Sequence, residues 1–257
     1  MRLEKFWKEN KKALLSYMMV GYPDYQTSLE AFRVLLRNHT DILEIGFPFS
    51  DPVADGPTIQ EAHQIALNNG IKSEHVFELS EKLREEFPDK PFLLMTYYNP
   101  MLKIGLDAFC KRAVEAGIDG FIVPDLPPEE GGELKSVCSN YGLSVVFLAS
   151  PTSTEERLKL IGESSDHMVY FVSITGTTGA RDSLPLERLR ERIELYRSVC
   201  EKPVVVGFGI SKPEQAREVC KFADGVVVGS HFVRLAGEGR LEELANSVRD
   251  IALALKQ

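Results

Sequence analysis

The sequence is poor in cysteine and tryptophan, and the few cysteines limit the kinds of site that the chain can form. Among 257 residues there are 4 cysteines and 1 tryptophan. No two cysteines form a C-x-x-C pair, which argues against a zinc knuckle, a thiol redox motif or a disulfide framework. The cysteines stand at Cys110, Cys138, Cys200 and Cys220. We therefore expect free thiols in a reducing compartment, and hence a cytoplasmic protein.

Long apolar runs and an excess of positive charge are also missing. No stretch approaches the 18 uninterrupted apolar residues typical of a membrane-spanning helix, and residues 1–12 are too charged for a secretory signal. The 30 Lys and Arg residues against 38 Asp and Glu residues give a net charge of −8. That sign disfavours nucleic acid and anionic membranes as partners, so an anionic small ligand needs a local site.

Eight short apolar runs recur along the chain, each followed by a turn and an amphipathic segment. The runs span residues 14–20, 42–45, 92–97, 120–123, 144–148, 168–172, 204–206 and 225–228. Their length and composition are typical of strands buried on both faces of a parallel sheet. Eight strands alternating with helices predict an α/β fold, a single (β/α)8 TIM barrel domain over residues 1–257 with an N-terminal capping helix. An open doubly wound sheet remains the alternative, because periodicity does not reveal closure.

Two connections are longer than the others, those after the second and sixth strands. The additional residues include loop-like stretches directly after each strand, at 46–58 and 173–185. In such a barrel the loops that follow the strands form the catalytic face. We therefore expect the functional residues on these two loops.

Glu44 is the most conspicuous candidate, because it lies within the second strand, between Leu43 and Ile45. Whichever face of the strand it occupies is packed, against either helices or the barrel interior. Burial raises the pKa of a carboxyl group, and a poised carboxyl is suited to acid–base catalysis near pH 7. The structural alternative is a glutamate that accepts backbone N–H bonds or pairs with a lysine.

The loop after this strand carries two further carboxylates, Asp51 and Asp55, and three prolines stiffen it. Asp-Pro and Asp-Gly are ordinary turn formers, so either aspartate alone is compatible with a purely structural role. A glycosidase or a magnesium site could also use two carboxylates. Neither fits well, since no second catalytic glutamate lies at the end of a later strand and the surroundings are aromatic and aliphatic.

Glycine turns follow the last two strands, at Gly207-Phe208-Gly209 and at Gly229-Ser230. Glycine allows close approach of the backbone to a ligand, and helix N-termini offer free N–H groups. Barrels commonly bind phosphate at these two loops. The pattern favours a phosphate site, although tight turns alone would also explain it. The five histidines show no metal-ligand spacing, and we predict no metal.

The run from Leu43 to Gln60, LEIGFPFSDPVADGPTIQ, resembles the signature of the tryptophan synthase α-subunit family. Shorter motifs extend the resemblance nearly end to end: Gly21-Tyr22-Pro23, Tyr98-Asn99-Pro100, Pro124-Asp125-Leu126-Pro127, Thr175-Gly176-Thr177-Thr178-Gly179 and Val206-Gly207-Phe208-Gly209-Ile210-Ser211. It implies a barrel that cleaves indole-3-glycerol phosphate by a retro-aldol reaction into indole and glyceraldehyde 3-phosphate, with no cofactor of its own (EC 4.2.1.20).

The resemblance also implies roles for individual residues. Glu44 matches the family's general acid/base, Asp55 the carboxylate facing the indole N–H, and Tyr170 an active-site tyrosine. The positions that match substrate contacts are Tyr17, Ile59 and Phe208 for the indole, Gly179, Gly209, Gly229 and Ser230 for the phosphate, and Thr178 for loop closure onto Asp55. The sequence departs from the family pattern at Ile174 and at His231-Phe232. Neither departure changes Glu44 or Asp55.

A partner follows from the same resemblance, namely a β-subunit that carries pyridoxal phosphate and receives indole in an α2β2-type heterotetramer. Asp51 and Pro52 are then expected at the contact with that partner. Three other functions remain open: a stand-alone indole-producing lyase, a non-catalytic activator of the β-subunit, and another phosphate-binding barrel isomerase or synthase.

Overall fold

The computed structural model describes residues 1–172, 186–207 and 209–256. The predicted site residues Thr178, Gly179 and Phe208 lie outside these described residues. Within them, the strands are β1 Ala13–Met19, β2 Ile42–Gly46, β3 Phe92–Met95, β4 Gly120–Ile122, β5 Ser144–Val146, β6 Leu148–Ala149, β7 Val169–Val172, β8 Val204–Gly207 and β9 Gly225–Val228.

Helices follow the strands around the outside of the sheet. They are α1 Arg2–Glu9, α2 Tyr25–Arg37, α3 Pro57–Asn68, α4 Ser73–Glu86, α5 Tyr98–Ile104, α6 Leu106–Glu115, α7 Gly132–Tyr141, α8 Glu155–Ser164, α9 Leu186–Val199, α10 Pro213–Val219, α11 Ser230–Gly237 and α12 Leu241–Ala254. In the described part of the chain, none of these helices combines the length and apolar character needed to cross a membrane.

The strands are all parallel and follow one another around a barrel, in the order β5-β4-β3-β2-β1-β9-β8-β7-β6. The pairing of β1 with β9 joins the two ends of the chain, where Leu15 lies opposite Val227. This arrangement confirms the predicted (β/α)8 barrel over the open sheet. A doubly wound sheet would leave its first and last strands apart.

The fifth predicted strand, residues 144–148, is divided into β5 and β6 at Phe147. The Phe147 N–H donates to the Ser165 hydroxyl at 3.0 Å instead of to a neighbouring strand. The Phe147 carbonyl still accepts from Tyr170 N–H at 3.2 Å, which connects this position to β7. The nine strands therefore occupy eight positions of the barrel.

Two hydrophobic clusters lie on opposite faces of the sheet. The larger one packs between the strands and the outer helices and includes Leu43 and Ile45 of β2. The smaller one fills the lower barrel interior; its members are Leu3, Ala13, Leu15, Ile42, Leu93, Ile122, Val146, Met168, Val205 and Val227. Because side chains alternate along a strand, this division assigns every second residue of β2 to the interior.

Helix α1 closes the lower end of the barrel, as expected for the N-terminal segment. Leu3 is fully buried in the interior cluster, and Phe6 and Trp7 pack against it. Arg2 pairs with the buried carboxylate of Asp119 at 3.0 Å, and Asp119 also accepts from Arg84 at 2.9 Å. The helix is therefore attached by both apolar packing and a charged network.

Truncation of Leu3 tests this closure. We expect Leu3→Ala to lower the free energy of unfolding by about 2–4 kcal/mol, because the interior cannot collapse around the lost methyl groups. Leu253→Ala is the matched control, since Leu253 is 54% exposed on helix α12 and its truncation should cost no more than about 0.5 kcal/mol. Urea unfolding of both variants measures the difference, and equal costs would contradict the capping role of α1.

Candidate active site

Glu44 points into the barrel interior above the lower hydrophobic cluster. It shares its face of β2 with Ile42, which belongs to that cluster, and it lies opposite Tyr17 in β1 and Leu93 in β3. The Glu44 side chain is fully buried, and neither of its carboxyl oxygens has a hydrogen-bond partner among the described residues. A purely structural glutamate would accept backbone N–H bonds or pair with a lysine, and the described residues offer Glu44 neither of these partners.

The surroundings of Glu44 keep its carboxyl group protonated. Burial is the main reason why the pKa of Glu44 rises from 4.5 to about 8, and the negative charge of Asp55 raises it further. A carboxylate loses its hydration when it is buried, so the neutral acid is favoured. Glu44 can therefore donate a proton near neutral pH and take one back afterwards.

Two tyrosines lie in the same layer of the barrel, and two glycines provide room for their rings. A Cβ atom at Gly46 would overlap the Tyr17 hydroxyl, and one at Gly207 would lie 3.0 Å from the Tyr170 hydroxyl. Tyr170 faces inward with its neighbour Val205, which resolves the orientation that the sequence left open. Burial raises the pKa of both phenols far above the ordinary value, so both stay neutral.

Asp55 lies on the loop between β2 and α3, where two side chains donate to its Oδ2 atom. The Tyr97 hydroxyl lies 2.7 Å from Oδ2, and the Nε2 atom of His63 lies 3.2 Å from it. The Tyr97 oxygen in turn accepts from the Ala54 N–H at 3.1 Å. Asp55 is only 9% exposed. The carboxylate is thus held in place beside Glu44, whose pKa it raises.

The rest of this loop is fixed by contacts to its own flanking helix and to β3. The Gln60 amide donates to the Asp55 carbonyl at 2.8 Å, and the Phe49 N–H donates to the Nδ1 atom of His63 at 3.0 Å. The Phe49 and Tyr97 rings stack with centroids 5.1 Å apart. The prediction of a rigid loop carrying the second carboxylate agrees with this geometry.

Sequence reasoning missed Tyr97 and His63 as members of the site. Tyr97 is the last residue of the predicted third strand, 92–97, and precedes the quoted Tyr98-Asn99-Pro100 motif, so its place at the catalytic end of a strand was a usable signal. His63 follows Ile59 by four residues on α3, and both are buried. His63 therefore lies one helical turn beyond Ile59 on the same buried side of α3, although the spacing of the histidines in the sequence indicates no role for it.

The two predicted interface residues lie on the outer side of the same loop. Asp51 is exposed and Pro52 half-buried, and the neighbouring Val53 is 81% exposed. Ile59, predicted to contact indole, is buried on α3. No cluster of three potential metal ligands occurs within residues 1–172, 186–207 and 209–256.

Glycines of both predicted phosphate turns are among the described residues, and the two turns follow neighbouring strands. Gly209 lies two residues beyond β8 with φ of +65°, a left-handed conformation that favours glycine. Gly229 directly precedes Ser230, the first residue of α11, and β8 pairs with β9. The first N–H groups of a helix have no partner within it, and the positive end of the helix dipole favours anions.

The described geometry combines three chemical capabilities at one end of the barrel. A buried carboxylic acid can exchange a proton with a bound ligand, a fixed carboxylate can accept from a ligand N–H, and the start of α11 can hold an anion. These capabilities suit a ligand that carries both an N–H group and an anionic group.

Comparison with known proteins identifies the same architecture elsewhere. The family model described as tryptophan synthase alpha chain matches residues 3–256. The tryptophan synthase alpha chain of Aquifex aeolicus (strain VF5) is 64% identical over 250 residues, covering 97% of this chain and 95% of that protein.

Solved structures agree with these sequence matches. A structure from Aquifex aeolicus VF5 superposes with a TM-score of 0.93 at 60% identity, covering 100% of this chain and 99% of that one. Tryptophan synthase from M. tuberculosis, in an open form with BRD0059 bound, superposes with a TM-score of 0.90 at 33% identity, covering 99% and 98%.

The raised pKa of Glu44 has a consequence for stability that Glu44→Gln should reveal. Between about pH 4.5 and pH 8 the unfolded chain loses this proton while the folded chain keeps it. The stability of the unsubstituted protein should therefore fall relative to Glu44→Gln as pH rises through this window, by an amount on the order of 4 kcal/mol, and level off above it.

Urea unfolding at several pH values measures this difference. Glu61→Gln is the matched control, because Glu61 is exposed on α3 and its removal should give a difference that does not change across the window. If the curves for Glu44→Gln and the unsubstituted protein run parallel from pH 4.5 to 8, Glu44 is not protonated in the folded state.

Proposed function

Because the chain belongs to the tryptophan synthase alpha chain family, it is the lyase subunit of tryptophan synthase, and we propose that Glu44 and Asp55 are its catalytic pair. The reaction is the retro-aldol cleavage of indole-3-glycerol phosphate into indole and glyceraldehyde 3-phosphate. The observation that supports the residue assignment is the fully buried carboxylic acid of Glu44, which has no hydrogen-bond partner in the described part of the chain and lies beside a fixed aspartate. No other described carboxyl group combines full burial with protonation near pH 7 beside a second carboxylate.

Glu44 acts first as an acid and then as a base. Its proton passes to C3 of the indole ring, which leaves the ring nitrogen positively charged and Glu44 ionised. The carboxylate then takes the proton of the glycerol hydroxyl next to the ring. The C3–carbon bond breaks, its electron pair returns to the ring, and the hydroxyl carbon becomes the aldehyde of glyceraldehyde 3-phosphate. A pKa of about 8 suits both steps.

Asp55 stabilises the positive charge that develops at the indole N–H during this sequence. Its Oδ2 atom already accepts from Tyr97 and His63, so the other oxygen remains for the substrate. A fixed carboxylate needs no reorganisation when the charge appears, and this lowers the barrier. Tyr170 lies in the same inward-facing layer as Glu44, and we assign it as the third catalytic residue.

The substrate is held at both ends. We assign Tyr17, Ile59 and Phe208 to the indole pocket, with Thr178 closing onto Asp55. The phosphate is assigned to Gly179, Gly209, Gly229 and Ser230. The left-handed turn at Gly209 and the start of α11 at Ser230 support this assignment. Binding of the distant phosphate orients the bond that breaks, which converts binding energy into rate.

Tryptophan synthase alpha chains work with a beta subunit, and the family is consistent with an alpha chain that has no cofactor of its own. We propose that the partner carries pyridoxal phosphate, receives indole from this chain, and assembles with it as an α2β2 heterotetramer. The exposed side of the loop at Asp51 and Pro52 supports a contact there. We also propose a cytoplasmic location and a single domain over residues 1–257; the four free cysteines support the former.

Substitution of Glu44 tests the assignment. Glu44→Gln preserves the side-chain shape but cannot exchange a proton, so kcat for indole release should fall at least ~10²-fold, the usual contribution of a general acid/base. KM should change little, because the phosphate and indole contacts remain. Glu61→Gln is the control, and near-normal turnover of Glu44→Gln would exclude Glu44 as the acid/base.

An assay of indole release with and without beta subunit tests the partner. We expect slow cleavage by the isolated chain and faster cleavage after the beta subunit is added. High activity that the beta subunit does not enhance would indicate a stand-alone lyase. Stimulation of the beta subunit without any cleavage would indicate a non-catalytic activator.

The predicted contact can be tested in the same assay. Asp51→Lys should raise the beta-subunit concentration needed for half-maximal stimulation, because it reverses a charge at the contact. Glu85→Lys reverses an exposed charge on α4 instead and is the matched control. An unchanged stimulation curve for Asp51→Lys would remove Asp51 from the interface.

A further inference from the structure

The imidazole of His63 connects both ends of the β2–α3 loop, although no step of the proposed reaction uses it. Its side chain is only 4% exposed. The Nδ1 atom lies 3.0 Å from the backbone nitrogen of Phe49, near the start of the loop, and the Nε2 atom lies 3.2 Å from Asp55 Oδ2, near its end. A single side chain therefore spans the loop and ends at the carboxylate.

These two contacts determine which nitrogen of His63 carries the proton. A backbone N–H can only donate, so Nδ1 must present its lone pair to Phe49. The single proton of the neutral ring then lies on Nε2 and points to Asp55, whose carboxylate accepts it. The hydrogen bonds run in one direction, from the Phe49 N–H through the imidazole to Oδ2.

Tyr97 makes a second connection of the same kind. Its hydroxyl accepts from the Ala54 N–H, so its own hydrogen is available for Asp55 Oδ2 at 2.7 Å. Oδ2 thus receives two donors, whereas no donor within residues 1–172, 186–207 and 209–256 reaches Oδ1. One oxygen of Asp55 is occupied by the protein and the other is left for a ligand.

We propose that His63, as the neutral ring with its proton on Nε2, is a positioning residue that fixes which Asp55 oxygen meets the substrate N–H. The proposal rests on the proposed role of Asp55 in the reaction. Without the Nε2 donor, the carboxylate can rotate about its Cβ–Cγ bond and accept from the substrate at a poorer angle. A small misplacement of this kind costs rate more than it costs binding.

Two substitutions separate the two halves of this connection. Asparagine at position 63 keeps an oxygen where Nδ1 accepts from Phe49, but its amide is too short to reach Asp55. Glutamine extends far enough to donate to Asp55 but loses the acceptor for Phe49. We therefore expect His63→Asn to lower kcat for cleavage of indole-3-glycerol phosphate by about tenfold or more with little change in KM, and His63→Gln to restore most of it.

His75 offers a matched control. Its Nδ1 atom accepts from the backbone N–H of Lys72 at 2.9 Å, the same kind of bond, but on helix α4, and none of the described carboxylates hydrogen-bonds to its ring. His75→Asn should leave both kcat and KM unchanged. If His63→Asn retains normal kcat, or if KM alone rises in His63→Asn, the positioning role is wrong.

Asp55→Asn distinguishes failure of this proposal from failure of the proposed function. If Asp55→Asn is inactive while His63→Asn is normal, only the positioning role is overturned. If Asp55→Asn is itself normal, the role of Asp55 in the reaction is overturned together with it. If both single variants are impaired, the double variant should have the same kcat as Asp55→Asn alone. The reason is that His63 acts only through the carboxylate of Asp55.

Nitrogen-15 NMR of the unsubstituted chain measures which ring nitrogen of His63 carries the proton. This test does not depend on whether any variant folds. At pH 7.5 the signals of His63 should show a bare Nδ1 and a protonated Nε2. The opposite tautomer, or a ring protonated on both nitrogens, would overturn the proposal.

Discussion

The candidate active site depends on one unfavourable arrangement, the burial of a carboxylic acid in a closed barrel, where none of the described residues hydrogen-bonds to it. Glu44 is fully buried, and the interior below it is an apolar cluster that ends at Leu3 of the capping helix. A carboxylate there would lose its hydration, so the proton stays on and the pKa rises to about 8. The barrel tolerates this because a large closed core stabilises the fold independently of the site.

The second carboxylate, Asp55, differs from Glu44 because hydrogen-bond donors hold it in place. Asp55 lies on a loop, and Tyr97 and His63 donate to one of its oxygens. In the proposed reaction, two acidic side chains of similar chemistry therefore have different tasks because of their surroundings, one as a proton carrier and one as a carboxylate held in a fixed position. Such a division is a common way in which a protein performs acid and base chemistry at one pH.

The barrel was predictable from the sequence because apolar residues are spaced differently in strands and in helices. Runs of Val, Ile, Leu and Phe marked every strand position, and the long loops after the second and sixth strands were predicted to carry the functional residues. The division of the fifth strand at Phe147 was not predictable, since it results from a hydrogen bond to Ser165, 18 residues away. Local composition carries no information about such a partner.

The candidate site was predictable only in part. Glu44 and Asp55 stood out because a charged residue inside an apolar strand and a proline-rich loop are unusual. The direction of Glu44 and Tyr170 could not be derived, because both faces of a parallel barrel strand are packed and alternation alone does not distinguish them. Tyr97 and His63 were missed because they reach Asp55 across 42 and 8 residues of chain.

The sequence by itself determined the order of strands and helices, the absence of a disulfide framework and the two carboxylates that carry the proposed chemistry. All of these follow from local periodicity and residue type. Only the tertiary structure decided that Glu44 faces inward, where none of the described side chains or backbone groups hydrogen-bonds to it, and that Asp55 is held by two donors. Those properties arise from strand register and barrel closure, which bring distant residues into contact and remove water from between them.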